Sequence, residues 1–150
     1  MKQPLFHKSL ALISALLLFF FSSMALAADA ADVEQILSDI RQDKPVPRLD
    51  YLKKALPINA DSAYFTGNFK DIEIAVECHP NSNKVASVLI KIPGGDQTRA
   101  ILPAVSRVIG KPHASDRKNS QYSWTWKNYR TGSLHYVAGE RITIVSLFYQ

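Results

Sequence analysis

The sequence predicts an α+β domain. Two N-terminal helices, a β-hairpin, one further helix and a three-stranded C-terminal meander are expected to build a mostly antiparallel sheet covered by helices. Three observations carry this. Val33, Ile36, Leu37 and Ile40 recur at helical spacing ahead of Pro45 and Pro47. Ile72, Ile74, Val76 and Cys78 alternate with Asp71, Glu73, Glu77 and His79 at strand spacing. Ile101, Leu102, Val105, Val108 and Ile109 form a second helical stripe that stops at Gly110-Lys111-Pro112. Period 3.6 and period 2 are the signatures of one buried helix stripe and one buried strand face.

Residues 1–27 read as a leader rather than as part of the fold. Lys2 and Lys8 precede an apolar run from Leu10 to Phe21, and Ala25-Leu26-Ala27 supplies small residues at a cleavage site. The run is about twelve residues, against the roughly 20 that cross a bilayer. Cleavage near Ala27-Ala28 is therefore expected, and no cysteine follows the run to carry a lipid. The mature chain, 28–150, is long enough for one domain with one core. Its expected location is the periplasm, or outside the cell, with no membrane anchor.

Charge is unevenly spread. Without Lys2 and Lys8 the formal net charge falls from +5 to +3. Ala28–Asn83 holds six Lys/Arg against ten acids, and Lys84–Gln150 holds ten against three. A basic C-terminal half suits a protein partner with an acidic surface. Export argues against nucleic acid. The alternative is that acidic N-terminal helices simply lie against the basic sheet. Cys78 is the sole cysteine, so no internal disulfide is available and packing must supply stability.

Along the chain, Asp32 with Gln35 resembles a capping box opening the first helix. A second short helix is expected over Arg48–Leu56, with Leu49, Leu52 and Leu56 inward and Pro57 closing it. Tyr64–Phe69 reads as a short strand or lead-in bent at Gly67-Asn68. The hairpin follows, turning at Pro80–Asn83. Asp96 or Thr98 is expected to cap the next helix, and Thr98 is favoured, since it places Pro103 near the first turn, where a missing N–H costs least. Gly110 suits a left-handed stop. His113–Gln121 is expected as a polar loop. Strands follow near Tyr122–Lys127, Ser133–Ala138 and Ile142–Tyr149, the last apolar on both faces and so central.

No catalytic constellation emerges. Cys78 and His79 are strand neighbours whose side chains leave opposite faces. His79, His113 and His135 lack zinc-type spacing, and no HExxH, CxxC, GxSxG, P-loop or GxGxxG is present. A non-enzyme without metal or cofactor is expected. Tyr122, Trp124 and Trp126 at strand spacing read as core against a covering helix, the alternative being an exposed aromatic face beside Arg130, His135 and Arg141 that would suit a protein loop or a sugar chain. The candidate partner-binding residues are Arg117 and Lys118 in the His113–Gln121 loop, and Tyr129 and Arg130 in the Asn128–Gly132 turn; polar loops on rigid elements commonly carry recognition.

Leu102–Trp126, a helix ending in Ile109-Gly110-Lys111-Pro112 followed by a polar loop and a Trp-bearing strand, resembles small envelope proteins of the SmpA/OmlA type and beta-lactamase-inhibitor-like domains. That resemblance implies a non-catalytic protein-binding role in the cell envelope. The chain differs in lacking the lipid-anchoring cysteine of SmpA/OmlA proteins and in placing a hairpin before the Gly110-terminated helix. The expected function is a soluble periplasmic protein-binding module, in its most concrete form an inhibitor or immunity protein against an envelope-targeting enzyme. Two alternatives stand beside it. One is a small enzyme or ligand carrier with a pocket lined by Arg130, His135 and Tyr136. The other is an accessory factor in envelope assembly.

Overall fold

The computed structural model describes residues 30–149; the leader over 1–27 and its cleavage point lie outside the described residues. Helix α1 covers 30–39. Four strands follow, β1 (Leu52–Ala55), β2 (Tyr64–Phe69), β3 (Ile72–Cys78) and β4 (Val85–Pro93). Helix α2 (Thr98–Ile109) leads into four more, β5 (Ala114–Asp116), β6 (Gln121–Thr125), β7 (Arg130–Val137) and β8 (Ile142–Tyr149). All eight form one antiparallel sheet in the order β1-β2-β3-β4-β8-β7-β6-β5. Each half is thus a helix followed by a four-stranded meander, and the halves join where β8 pairs β4. Strand β8, apolar on both faces, lies between β4 and β7.

The expected layout of three helices with a three-stranded C-terminal meander is overturned. Two helices and eight strands are present among the described residues, and the C-terminal meander has four strands. The main difference lies at 48–56, where a helix was expected. Prolines at both ends leave too few residues for a stable isolated helix, and Pro57 biases Leu56 toward extended geometry. Pairing with β2 gives Leu52–Ala55 the hydrogen bonds a short helix would lack. Only Leu52 of the expected inward leucines is fully buried, while Leu56 is 89% exposed. Gly67 makes the pairing possible. A Cβ there would lie 1.7 Å from the Tyr51 carbonyl oxygen, so it marks a close backbone approach rather than a bend. The second difference is β5, a short edge strand inside the expected loop at 113–121, paired with β6 through Ala114, Ser115 and Asp116.

Helix details also shift. Asp32 lies inside α1 and is paired with Lys70 at 2.6 Å, so it does not cap the helix. Helix α2 begins at Thr98 with Gln97 at the cap position making no side-chain capping bond, and Asp96 just before it accepts the Thr98 N–H at 2.9 Å and hydroxyl at 2.6 Å on Oδ1. Pro103 sits beyond the first turn, inside the helix. Gly110 has φ 92° and ψ 173°, a positive φ that is not the left-handed helical stop. Its carbonyl accepts the Trp124 indole N–H at 2.8 Å, tying the helix end to β6.

Both helices cover the same sheet face. Val33, Ile36, Leu37 and Ile40 of α1 and Ile101, Ala104 and Val105 of α2 pack on Ile72, Ile74, Val76, Val88, Ile90, Leu134, Val145, Tyr122 and Trp124. Trp124 is fully buried, as the alternation in its strand implied, and Cys78 belongs to the same core. Glu34 and Arg107 join the helices at 2.6 Å. No described helix is long and apolar enough to cross a membrane.

Candidate functional site

Because the helices lie on one face, the other face of the eight-stranded sheet carries no covering element among the described residues. Strand register determines what it presents. Opposite the buried set, β4 contributes Ser87, Leu89 and Lys91. Its neighbour β8 contributes Ile142, Ile144, Ser146 and Phe148, and β7 contributes Thr131, Ser133, His135 and Val137. Most are half-buried by their neighbours alone. Among these eleven side chains Lys91 is the one formal charge, and Glu73 pairs it at 3.2 Å. Acids appear only farther out, at Glu73 and Glu77 on β3 and Asp116 on β5. The result is an apolar, hydroxyl-rich centre with charges at the rim.

At the centre a serine ladder crosses the strands. Ser146 and Ser133 share a hydrogen bond at 2.8 Å, and the Ser133 hydroxyl lies 3.3 Å from His135 Nδ1. A serine beside a histidine suggests nucleophilic chemistry, which needs a third group to orient the ring. The His135 ring has no hydrogen-bond partner other than Ser133 among the described residues. The groove beside it, about 520 Å³ and lined by Asp116, Gln121, Ser123, Ser133 and His135, is open to solvent. Asp116 is spent on its own turn, accepting from Lys118 and Asn119.

A second feature lies on the helix side, where the loop after α1 meets the ends of β7 and β8. A cleft of about 280 Å³ has Leu37, Ile40, Val108, Trp126 and Leu147 as apolar walls, with Arg41, Gln42, Lys44 and Arg130 around them. Gln42 is buried; its amide N–H donates to Ala86 O at 2.8 Å and its oxygen accepts from Arg130 Nε at 3.1 Å. The Arg130 guanidinium also lies 5.1 Å over the Trp126 ring, a cation–π distance. Next to the cleft, Asp43 accepts from the Tyr149 hydroxyl and contacts His79 Nε2 at 3.0 Å. The Tyr149 bond, then His79 and the nearby Arg130 charge, hold the Asp43 carboxyl below the usual carboxylate range against burial. Burial and Asp43 raise the Tyr149 phenol. These cations have a structural explanation, since both helices point their negative C-terminal ends here and Arg41 Nε donates to Ser38 O at 3.0 Å.

The four expected partner-binding residues are not brought together. Arg117 and Lys118 lie in the β5–β6 turn, and Tyr129 in the β6–β7 turn with Arg130 beginning β7, at opposite ends of β6. Arg117 shares a shallow groove with Arg99, Leu102 and Tyr122. Tyr129 is 75% exposed with φ 61°. The pocket of Arg130, His135 and Tyr136 is overturned by register. His135 and Tyr136 are adjacent on β7 and so lie on opposite faces, with Arg130 on the helix side.

Sequence reasoning missed Ser133, Ser146, Leu89 and Ile144 as one surface. The signal was available: between 130 and 149, serine, threonine and apolar residues occupy nearly every strand position on both faces, and the charges fall at the start, Arg130, and in the turn, Glu140 and Arg141. Gln42 and Trp126 as holders of Arg130 had no local signal. Among the described residues no group of three or more His, Cys, Asp or Glu side chains is placed to hold a metal ion. Comparisons with family models, with curated proteins and with solved structures find no match for this chain.

Proposed function

We propose that this chain is an exported, non-catalytic binding module that docks a protein partner on the uncovered face of its sheet. The observation that carries the proposal is the charge-poor centre of that face over β4, β8 and β7, where Lys91 is the lone charge and is paired with Glu73. Interface centres are depleted of charge and rimmed by polar groups, whereas an ordinary solvated sheet face alternates charges across its strands. Lys118, in the β5–β6 turn, suits an acidic margin on the partner, while Arg117 shares a groove with α2 on the helix side. The leader-like segment supports a periplasmic setting. An inhibitor or immunity protein against an envelope-targeting enzyme is the concrete form, in keeping with the resemblance to small envelope and inhibitor-like domains.

The test uses the mature chain with Ser146→Arg, which places an unpaired charge at the centre of the face. A stoichiometric complex seen with the unchanged protein should weaken at least tenfold, while circular dichroism and the melting temperature stay close to the parent. A complex unaffected by Ser146→Arg, with the variant folded, would sink the proposal.

A further inference from the structure

Independently of the sheet face, one end of the sheet differs from the other in both charge and exposed apolar surface. The loop after α1 and the β1–β2, β3–β4, α2–β5 and β6–β7 connections all gather at the end where β8 finishes. Those segments, with the loop after α1 taken as far as Val46 where it meets the β3–β4 turn, and the first residue of β7 carry Arg41, Lys44, Lys84, Lys111, Lys127 and Arg130 against Asp43 and Asp61, a net of +4. None of the six cations is in an ion pair among the described residues. Asp43 is already engaged by Tyr149 and His79. The two helix C-termini at this end remove about one charge equivalent and leave it positive. At the other end, Lys70, Arg117, Lys118 and Arg141 are balanced by Asp71, Asp96, Asp116 and Glu140.

The exposed apolar groups follow the same asymmetry. Leu56 at 89%, Ile58 at 72% and Tyr129 at 75% exposure are the three most exposed large hydrophobic side chains among the described residues, and all three sit on connections at the basic end. Pro57 separates the two aliphatic tips, and Tyr129 holds a left-handed φ of 61° that costs a non-glycine residue free energy and projects its ring from a tight turn. The β1–β2 and β6–β7 connections are five strand spacings apart, roughly 24 Å at about 4.8 Å per strand. Between them in strand order lie Lys84 and Arg130. Cations flanking aliphatic and tyrosine tips are what a peripheral contact with anionic lipid requires: the charges meet headgroups while the tips enter the boundary with the acyl chains. A wholly polar acidic surface would satisfy the cations but leave Leu56 and Ile58 in water.

We infer that this end of the sheet is a membrane-docking pole that seats the protein on the surface of an anionic bilayer, with Leu56, Ile58 and Tyr129 entering the headgroup region. The test is co-sedimentation of residues 28–150, which contain every described element, with vesicles of phosphatidylcholine alone or with 30–40% phosphatidylglycerol (about one anionic lipid in three, chosen to give a surface potential of the kind that attracts basic segments). Binding is expected to the anionic vesicles only, to weaken as salt rises, and to fall at least tenfold in Leu56→Asp/Ile58→Asp. Those positions are exposed, so the variant keeps the parent's melting temperature. Arg99→Ala/Arg141→Ala, exposed cations at the opposite end, should bind as the parent does. Equal binding to both vesicle types, no binding, or anionic binding that ignores Leu56→Asp/Ile58→Asp would each overturn the inference, the last by leaving only an electrostatic contact.

Discussion

Replacing Gly67 by alanine tests the edge of the sheet where sequence and structure part most sharply. The added methyl would lie 1.7 Å from the Tyr51 carbonyl oxygen and 2.8 Å from its carbon. Carbon and oxygen settle at roughly 3.3 Å or more, so β1 has to retreat by about 1.5 Å, beyond hydrogen-bonding range of β2. What is lost follows from the contacts. Freeing Leu52 from its buried site costs about 2 kcal/mol. The edge-on Tyr51–Phe69 contact, with ring centroids 4.9 Å apart, contributes about 1 kcal/mol. Net loss of the ladder hydrogen bonds adds about 1 kcal/mol. Partial re-annealing of the strand reduces the sum, so Gly67→Ala should destabilise by about 3 kcal/mol, or about 10 °C in melting temperature for a domain of this size. Thermal melts give the magnitude, and amide hydrogen exchange at Leu52–Ala55 gives the location. A variant within about 0.5 kcal/mol of the parent, with those amides still protected, would show that β1 does not cross Gly67 as described.

Four further outcomes are expected. Trp124→Phe keeps most of the apolar volume but orphans the Gly110 carbonyl, costing about 1–3 kcal/mol in urea unfolding. Asp43→Asn removes a carboxyl whose pKa is depressed in the fold, chiefly by the Tyr149 hydroxyl. Its stabilisation is therefore present above the ordinary carboxylate pKa and lost as pH falls through the folded value, so parent and variant should differ at pH 7 and converge in strong acid. Tyr51, pushed up to about 12 by burial and by Asp39, favours the fold in its neutral form. That contribution is complete below the ordinary tyrosine pKa of about 10 and lost as pH rises toward 12, and Tyr51→Phe should flatten the alkaline limb of the stability curve. Cys78, buried and with its thiol raised by burial first and Glu77 second, should resist a thiol reagent until denaturant is added; rapid reaction of the native protein would contradict the packing.

The stripes of α1, β3 and α2 were legible because each has one buried face, and a single period then writes itself into the sequence. Strand β8 was legible as central for the opposite reason, since apolar residues on both faces have no other place in such a sheet. The stretch at 48–56 was not. Leu49, Leu52 and Leu56 fit a helical stripe, and what decides against it is a partner, β2, together with a glycine whose importance lies in a contact with Tyr51, 16 residues away in sequence. Strand β5 is fully exposed and three residues long, so hydrophobic patterning has nothing to act on there. At the candidate sites the difficulty is convergence. The loop after α1 supplies Ile40, Arg41, Gln42 and Lys44 to the helix-side cleft, while both helices, the β6–β7 turn, β7 and β8 each supply one or two groups, and only the sheet order brings Gln42 to Arg130. For the open face, serine and threonine gave no alternation because both faces of β7 and β8 are sheltered, one by helices and the other by neighbouring side chains.

The account turns on what covers the sheet face that the helices leave open. Site-specific photo-crosslinking in the intact host tests this most directly, with the reactive group at Ser133 on that face and, as control, at Ala100 on the exposed side of α2. The account predicts one discrete adduct from Ser133, of a mass other than twice this chain, and none from Ala100. No adduct from Ser133, equal adducts from both positions, or an adduct of two copies of this chain would contradict it.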